Sequence, residues 1–415
     1  MFEYKRIALA VSLVLMTTAC SEANKQEATS ATSEQQTAAE PAQQETQQSE
    51  SEKANQLFED IFMENVMRSP MYQSYLGIKD DQDKWDDISE EQAQEDLALQ
   101  KKHLQQVLAI DESKLDEQTK ISWMLMKQKL ENEIADFKWR HYNYPVNQMF
   151  GLHSSVASLL INQHGISSVD DAEDYIARLN GLPALFEQLG ENLELRAEKG
   201  IIAPKFVYPY VISDSKNIIT GAPFDDGEAS ALWADFTKKV ENLEIEEDQR
   251  DALLAAAEKA MLESVKPAYE NLIASVEAIA EQADTKDGAW KFPEGEAFYN
   301  NALQRTTTTD LTADEIHQIG LSEVKRIHEE MRGIMKDVGF EGTLQEFFVH
   351  MRNNEDFIYP NTEEGRKRYL DEATAYIDNM RGRLDELFIN KPKAGLIVKA
   401  VEPFREKSAG KAFYQ

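Results

Sequence analysis

The chain has 415 residues, 42% of them apolar, enough to bury a substantial core in one large domain or in two or three ordinary ones. Its 44 Lys and Arg stand against 75 Asp and Glu, a formal charge of −31. With no local basic cluster, that field repels nucleic acid and anionic headgroups, and a single cysteine excludes an internal disulfide and a cysteine metal site.

The first 19 residues have the form of a secretory signal: Lys5 and Arg6, a ten-residue apolar core too short to span a bilayer, then small residues up to Cys20. Together they resemble a bacterial lipoprotein signal, in which Cys20 becomes the lipid-modified first residue of the mature protein. Thr17 stands where the lipobox usually carries Leu. Ser21, where an Asp would suggest inner-membrane retention, points to the outer membrane, with the protein facing the periplasm. Residues 20–53 are mostly Gln, Glu, Ala, Ser and Thr with no aromatic residue, which predicts a disordered tether.

The remainder, residues 54–415, predicts helices almost throughout. Leu57, Phe58, Ile61, Phe62 and Val66 form one apolar stripe that ends before Ser69 and Pro70. Comparable stripes run over 123–137, over 175–195 with a break expected at Gly181 and Pro183, and over 253–279 with a kink expected at Pro267. The Pro- and Gly-rich stretch 200–224 predicts a loop, and residues 284–295 are the only candidate for an internal boundary. Thr312 with Glu315, and Thr343 with Glu346, are capping boxes that open two further helices, the first stopping at Gly339. A last helix follows Pro360, and then the apolar run "GLIVKAV" predicts a strand that needs a partner. The predicted fold class is therefore mainly α: a multi-helix scaffold with a short β segment near the C-terminus.

Chemistry is harder to find. There is no G-x-S-x-G elbow and no phosphate-binding loop. Zinc peptidases of the H-E-x-x-H type place two His four residues apart on one helical face, but in "HEEMR" Arg332 stands where the second His belongs, and Arg cannot ligate a cation. His317 and His328 share a face yet lie roughly 16 Å apart along it. His153 and His164 could converge across a turn, or could be structural histidines. No catalytic residue and no metal ligand is assigned.

Three stretches, "GEAFYNNALQRTTTTDLTADEIHQIGLSEVKRIHEEM", "LDELFINKP" and "VEPFREKSAGKAFYQ", together with the upstream "FGLHSS", "RAEKGIIAPKFV" and "IITGAPF", resemble consecutive landmarks of a bacterial family known as domain of unknown function 885. The resemblance implies a zinc metallopeptidase-like protein related to the gluzincins. Its ligands would come from an H-E-x-x-P-G-H helix and a later Glu, both beyond residue 415, so the fold would be an incomplete gluzincin-like one. By that resemblance Arg405 and Tyr414 are substrate-groove candidates; the plainer alternative is packing and surface. The expectation is thus the N-terminal scaffold of a lipid-anchored, zinc-dependent envelope peptidase, inactive as given, with no cofactor of its own and a peptide as substrate. The alternative is a non-catalytic envelope lipoprotein holding a peptide or partner protein in a helical groove.

Overall fold

The computed structural model describes residues 49–406, 409–410 and 412–414. The expected signal peptide, Cys20 and the tether up to residue 48 lie outside the described residues. Within them the protein is helical, with pairing between extended segments limited to two isolated bridges, Val146 with Gly151 and Ala222 with Ala229. No described helix is long and apolar enough to cross a membrane. The chain divides into two compact units between Ala135 and Asp136.

The first unit holds α1 (Glu50–Met67), α2 (Pro70–Leu76), α3 (Glu90–Leu108) and α4 (Glu117–Asp136), the last ending at the division. Ser49 and Glu52 form a capping box, so α1 starts a few residues before the expected domain start at 54. Ile61, Val107, Trp123 and Leu130 make the core, and the Trp123 indole N–H donates to the Val107 carbonyl at 2.8 Å. That bond keeps the indole's one donor satisfied inside an apolar cluster.

The second unit is built around α6 (Val169–Glu198), whose Tyr175, Leu179, Leu182, Leu185, Phe186 and Leu189 are all buried. Around it lie α5 (Leu152–Asn162), α7 (Tyr208–Ile218), α8 (Ala231–Glu241), α9 (Glu247–Ala260) and α10 (Lys266–Ala280). Helix α6 runs through Pro183 without the expected break. The proline removes one N–H from the ladder, but apolar burial on both sides of it holds the helix together. The kink expected at Pro267 is realised as a π turn, Met261–Val265, immediately before α10, where the proline falls in the first turn. The stretch 200–224 is not all loop. Pro209 sits in the first turn of α7, and Tyr208, Val211, Ser215 and Ile218 recur at helical spacing on its buried face.

Residues 137–144 and 289–298 are joined by an aromatic cluster of Trp139, Tyr142, Phe292 and Phe298, with the Tyr142 hydroxyl donating to the Pro293 carbonyl at 2.8 Å. The expected boundary at 284–295 therefore lies within the second unit. Helix α11 (Gly295–Thr307) follows, then α12 (Ala313–Asp337), α13 (Leu344–Asn353) and α14 (Glu363–Gly382). Both expected capping boxes are present, and α12 stops where expected, with Gly339 at φ +71°. Unlike α6, these last helices bury little: Ile319, Val324 and Ile334 on α12 are each about half exposed, and Met335 is the one buried residue of that helix. The "GLIVKAV" run is not a strand. With no second strand among the described residues to pair with, it has no regular secondary structure, and Ile397 is 85% exposed.

Candidate functional site

A dense polar cluster gathers at the C-terminal end of α5. A helix leaves its last carbonyls without intrahelical donors and carries partial negative charge there. The Lys239 ammonium, from α8, answers both needs: it donates to the carbonyls of Leu160 at 2.8 Å, Ile161 at 3.0 Å and His164 at 3.0 Å. One turn back on α8, Asp235 pairs with Lys239 at 2.7 Å and accepts the Tyr175 hydroxyl at 3.3 Å. Burial pushes the Asp235 carboxyl up and the Lys239 ammonium down, each against the pull of the other.

His164 sits in the same cluster with both nitrogens engaged. Nε2 lies 2.9 Å from the Asp171 carbonyl, and Nδ1 lies 3.3 Å from an Arg178 guanidinium nitrogen. Arg only donates, so Nδ1 accepts and the proton sits on Nε2, which makes this a neutral imidazole. Burial first, then the neighbouring Arg178 and Lys239 charges, hold its pKa down to about 4. His153 is also fully buried, and burial lowers it to about 4. The two therefore act as packed core histidines. Among the described residues no three His, Cys, Asp or Glu side chains gather to hold a metal ion, so the zinc that the family resemblance implies does not fit the residues described, and no chemical step is assigned through it.

The C-terminal landmark docks on this cluster. Asn162, the last residue of α5, donates to Glu402 Oε1 at 2.7 Å while its amide oxygen accepts from the Lys399 ammonium. Glu402 Oε2 takes Arg405 Nε at 2.8 Å, and the turn Pro403–Arg405 packs on α7. Burial alone would raise the Glu402 carboxyl, but Asn162, its own backbone N–H and Arg405 outweigh it and hold the pKa below the usual carboxylate range. Arg405 is thus neutralised and mostly buried, with its guanidinium 5.5 Å from the Phe413 ring. Tyr414 stands 84% exposed. On α12, His317 is exposed and His328 is half-buried, its ring 6.4 Å from that of Phe348, and Arg332 pairs with Glu329 at 2.9 Å.

A second feature is a groove of about 630 Å³ in the second unit, between Lys138 and Trp139, α11 and the start of α12. Glu296, Asp310 and Asp314 face it with the amides of Asn300 and Gln304, against the single cation Lys138. That balance disfavours anions and suits an amide-rich or cationic guest. Neither feature is visible in the sequence. Asn162, Lys239 and Glu402 are ordinary polar residues 77 and 163 positions apart by their numbering, and only the fold brings them together.

The family model for "Bacterial protein of unknown function (DUF885)" matches residues 70–415. Among solved structures the chain is similar to a "putative lipoprotein" from Colwellia psychrerythraea, at 21% identity and a TM-score of 0.73, over 84% of this chain and 62% of that one. It is also similar to a "putative lipoprotein of unknown function" from Shewanella oneidensis, at 15% identity and a TM-score of 0.52, over 86% of this chain and 61% of that one. At these identities the likeness is one of fold. The chain spans less than two thirds of the length of either structure. No curated protein matches it.

Proposed function

The chain belongs to the DUF885 family, and we propose that it forms the N-terminal scaffold of a lipid-anchored, zinc-dependent peptidase of the cell envelope. Cys20 would carry the lipid, the outer membrane would be its address, and the body would face the periplasm. The metal ligands of this gluzincin-like site would come from residues beyond these 415.

The observation that carries this reading is the half-exposed apolar stripe of α12, on a chain that spans 62% of a structurally similar protein. Apolar surface left half open along one helix face is a seat for further structure. That both structurally similar proteins are called lipoproteins supports the anchor.

The test compares two proteins produced from Ser21 onward: this chain, and the same chain extended by whatever the gene encodes in frame after codon 415. An extension carrying H-E-x-x-P-G-H, one zinc per extended chain by mass spectrometry and hydrolysis of a peptide library are expected. A stop codon at that point, or an extended protein that is zinc-free and inert, would remove the peptidase. Labelling with radioactive palmitate, lost in Cys20→Ala, checks the anchor separately.

The groove beside Trp139 favours the second reading, a non-catalytic lipoprotein that holds a peptide, because its carboxylates and amides match peptide N–H groups and basic side chains. Peptide binding by this chain alone, weakened in Asp310→Asn, would support it.

A further inference from the structure

We propose that residues 399–405 are a strap, clipped to the second unit by Asn162 and Glu402, that pins the far end of the α12–α14 excursion and can open without unfolding the helices beneath it. Three features of the geometry carry this. The receiving end is rigid: Asn162 closes α5, whose preceding carbonyls are held by Lys239, itself pinned by Asp235. The strap reads both sides of one amide, with the Glu402 carboxylate on its N–H and the Lys399 ammonium on its oxygen. Arg405 then orients Glu402 from within the strap at 2.8 Å, and the turn it belongs to rests on α7.

Between the body and this clip, α12 packs chiefly on α13, and α14 on the turn Leu384–Glu386 that follows it. Their position against the rest of the second unit is therefore set largely at the two ends. At the near end, Arg305 and Asn301 of α11 hold Asp136. At the far end stands the strap. A charge-assisted, partly buried hydrogen bond is the kind whose removal is felt strongly and locally.

Hydrogen exchange and limited trypsin digestion on the full chain test the proposal, using Asn162→Ala, Glu402→Gln, Asn162→Asp and the double variant Asn162→Asp/Glu402→Gln. In the Ala and Asp single variants, amides of 395–406 should exchange roughly tenfold faster or more, and cleavage after Lys399 and Arg405 should accelerate comparably, while α5, α6 and α8 stay protected. Glu402→Gln keeps a carbonyl for Asn162 and should open the strap less than Asn162→Asp, which sets two carboxylates face to face. In the double variant the introduced glutamine amide donates to the introduced carboxylate across the same gap, and Lys399 stays paired, so protection should return. Unchanged exchange of 395–406 in Asn162→Ala, loss of protection in α5 and α6 along with it, or failure of the double variant to rescue would each overturn the strap.

Discussion

Asp235 and Lys239 lie one turn apart on α8 and make a 2.7 Å ion pair with both side chains less than one fifth exposed. The pair is also the plug that closes α5, since the same ammonium serves three carbonyls. Lys239→Met should therefore cost about 3–5 kcal/mol, because it strands Asp235 in a buried position and unplugs the helix at once. Asp235→Asn, which keeps an acceptor for the Tyr175 hydroxyl, should cost less. Urea melts give both values, and a Lys239→Met cost below that of Asp235→Asn would show that the plug is unimportant.

Asp136 and Arg305 form a two-point pair, Oδ2 to Nε at 2.8 Å and Oδ1 to Nη2 at 3.1 Å. Burial would raise the Asp136 carboxyl, but Arg305, Asn301 and Lys138 together hold it below its ordinary 3.8. A carboxyl depressed in the folded state contributes stability that is complete above its unfolded value and fades as pH falls through the folded one. With both side chains about one third exposed, Arg305→Ala should cost about 1–2 kcal/mol near pH 7. The gap between variant and parent should narrow as pH drops below 3.8. A gap that is constant with pH would exclude the pair as its cause.

Gly221 adopts φ +90°, and a Cβ there would stand 2.2 Å from the Glu228 carbonyl oxygen. Gly221→Ala combines a disfavoured backbone region with a backbone clash and should lower stability by about 2–4 kcal/mol in thermal or urea melts. Gly320, on α12 with nothing near its would-be Cβ, is the control: Gly320→Ala should raise stability slightly, by about 0.5–1 kcal/mol.

His164→Ala should destabilise the chain by about 1–3 kcal/mol, since it removes an acceptor from buried Arg178 and a donor from the Asp171 carbonyl. The zinc content of the purified chain should be the same in His164→Ala, His153→Ala and the parent. Bound zinc that disappears in either variant would make these histidines ligands after all.

Much of the fold is legible because its signals are local. The capping boxes at Thr312 and Thr343 and the glycine stop at Gly339 each depend on residues within a few positions. The misses come where longer-range packing outweighs the local signal. Pro183 would break an isolated helix, but Leu179, Leu182, Leu185 and Phe186 around it are buried and the helix packs on α9 and α10, which carries it through. Pro209 reads as part of a loop because Gly and Pro surround it, yet a first-turn proline is compatible with the helix it begins. The run at 395–401 has β-forming residues and no partner strand among the described residues. As for the site, Arg405 is a groove candidate only by the family resemblance, and its fold partner Glu402 and their anchor Asn162, 240 positions before Glu402, give no sequence signal. Contacts of that span are fixed by topology alone.

The half-exposed stripe on α12 bears on how the molecule behaves among its own copies. A formal charge of −31 keeps neighbouring chains apart at low ionic strength. Salt shortens the reach of that repulsion to about 10 Å at 0.1 M but leaves the attraction between apolar surfaces in place. Colloidal stability should then fall as salt rises, so that dilute, low-salt buffer is the medium in which this chain stays monodisperse, with Ile319, Val324 and Ile334 among the exposed apolar side chains that contribute to the attraction.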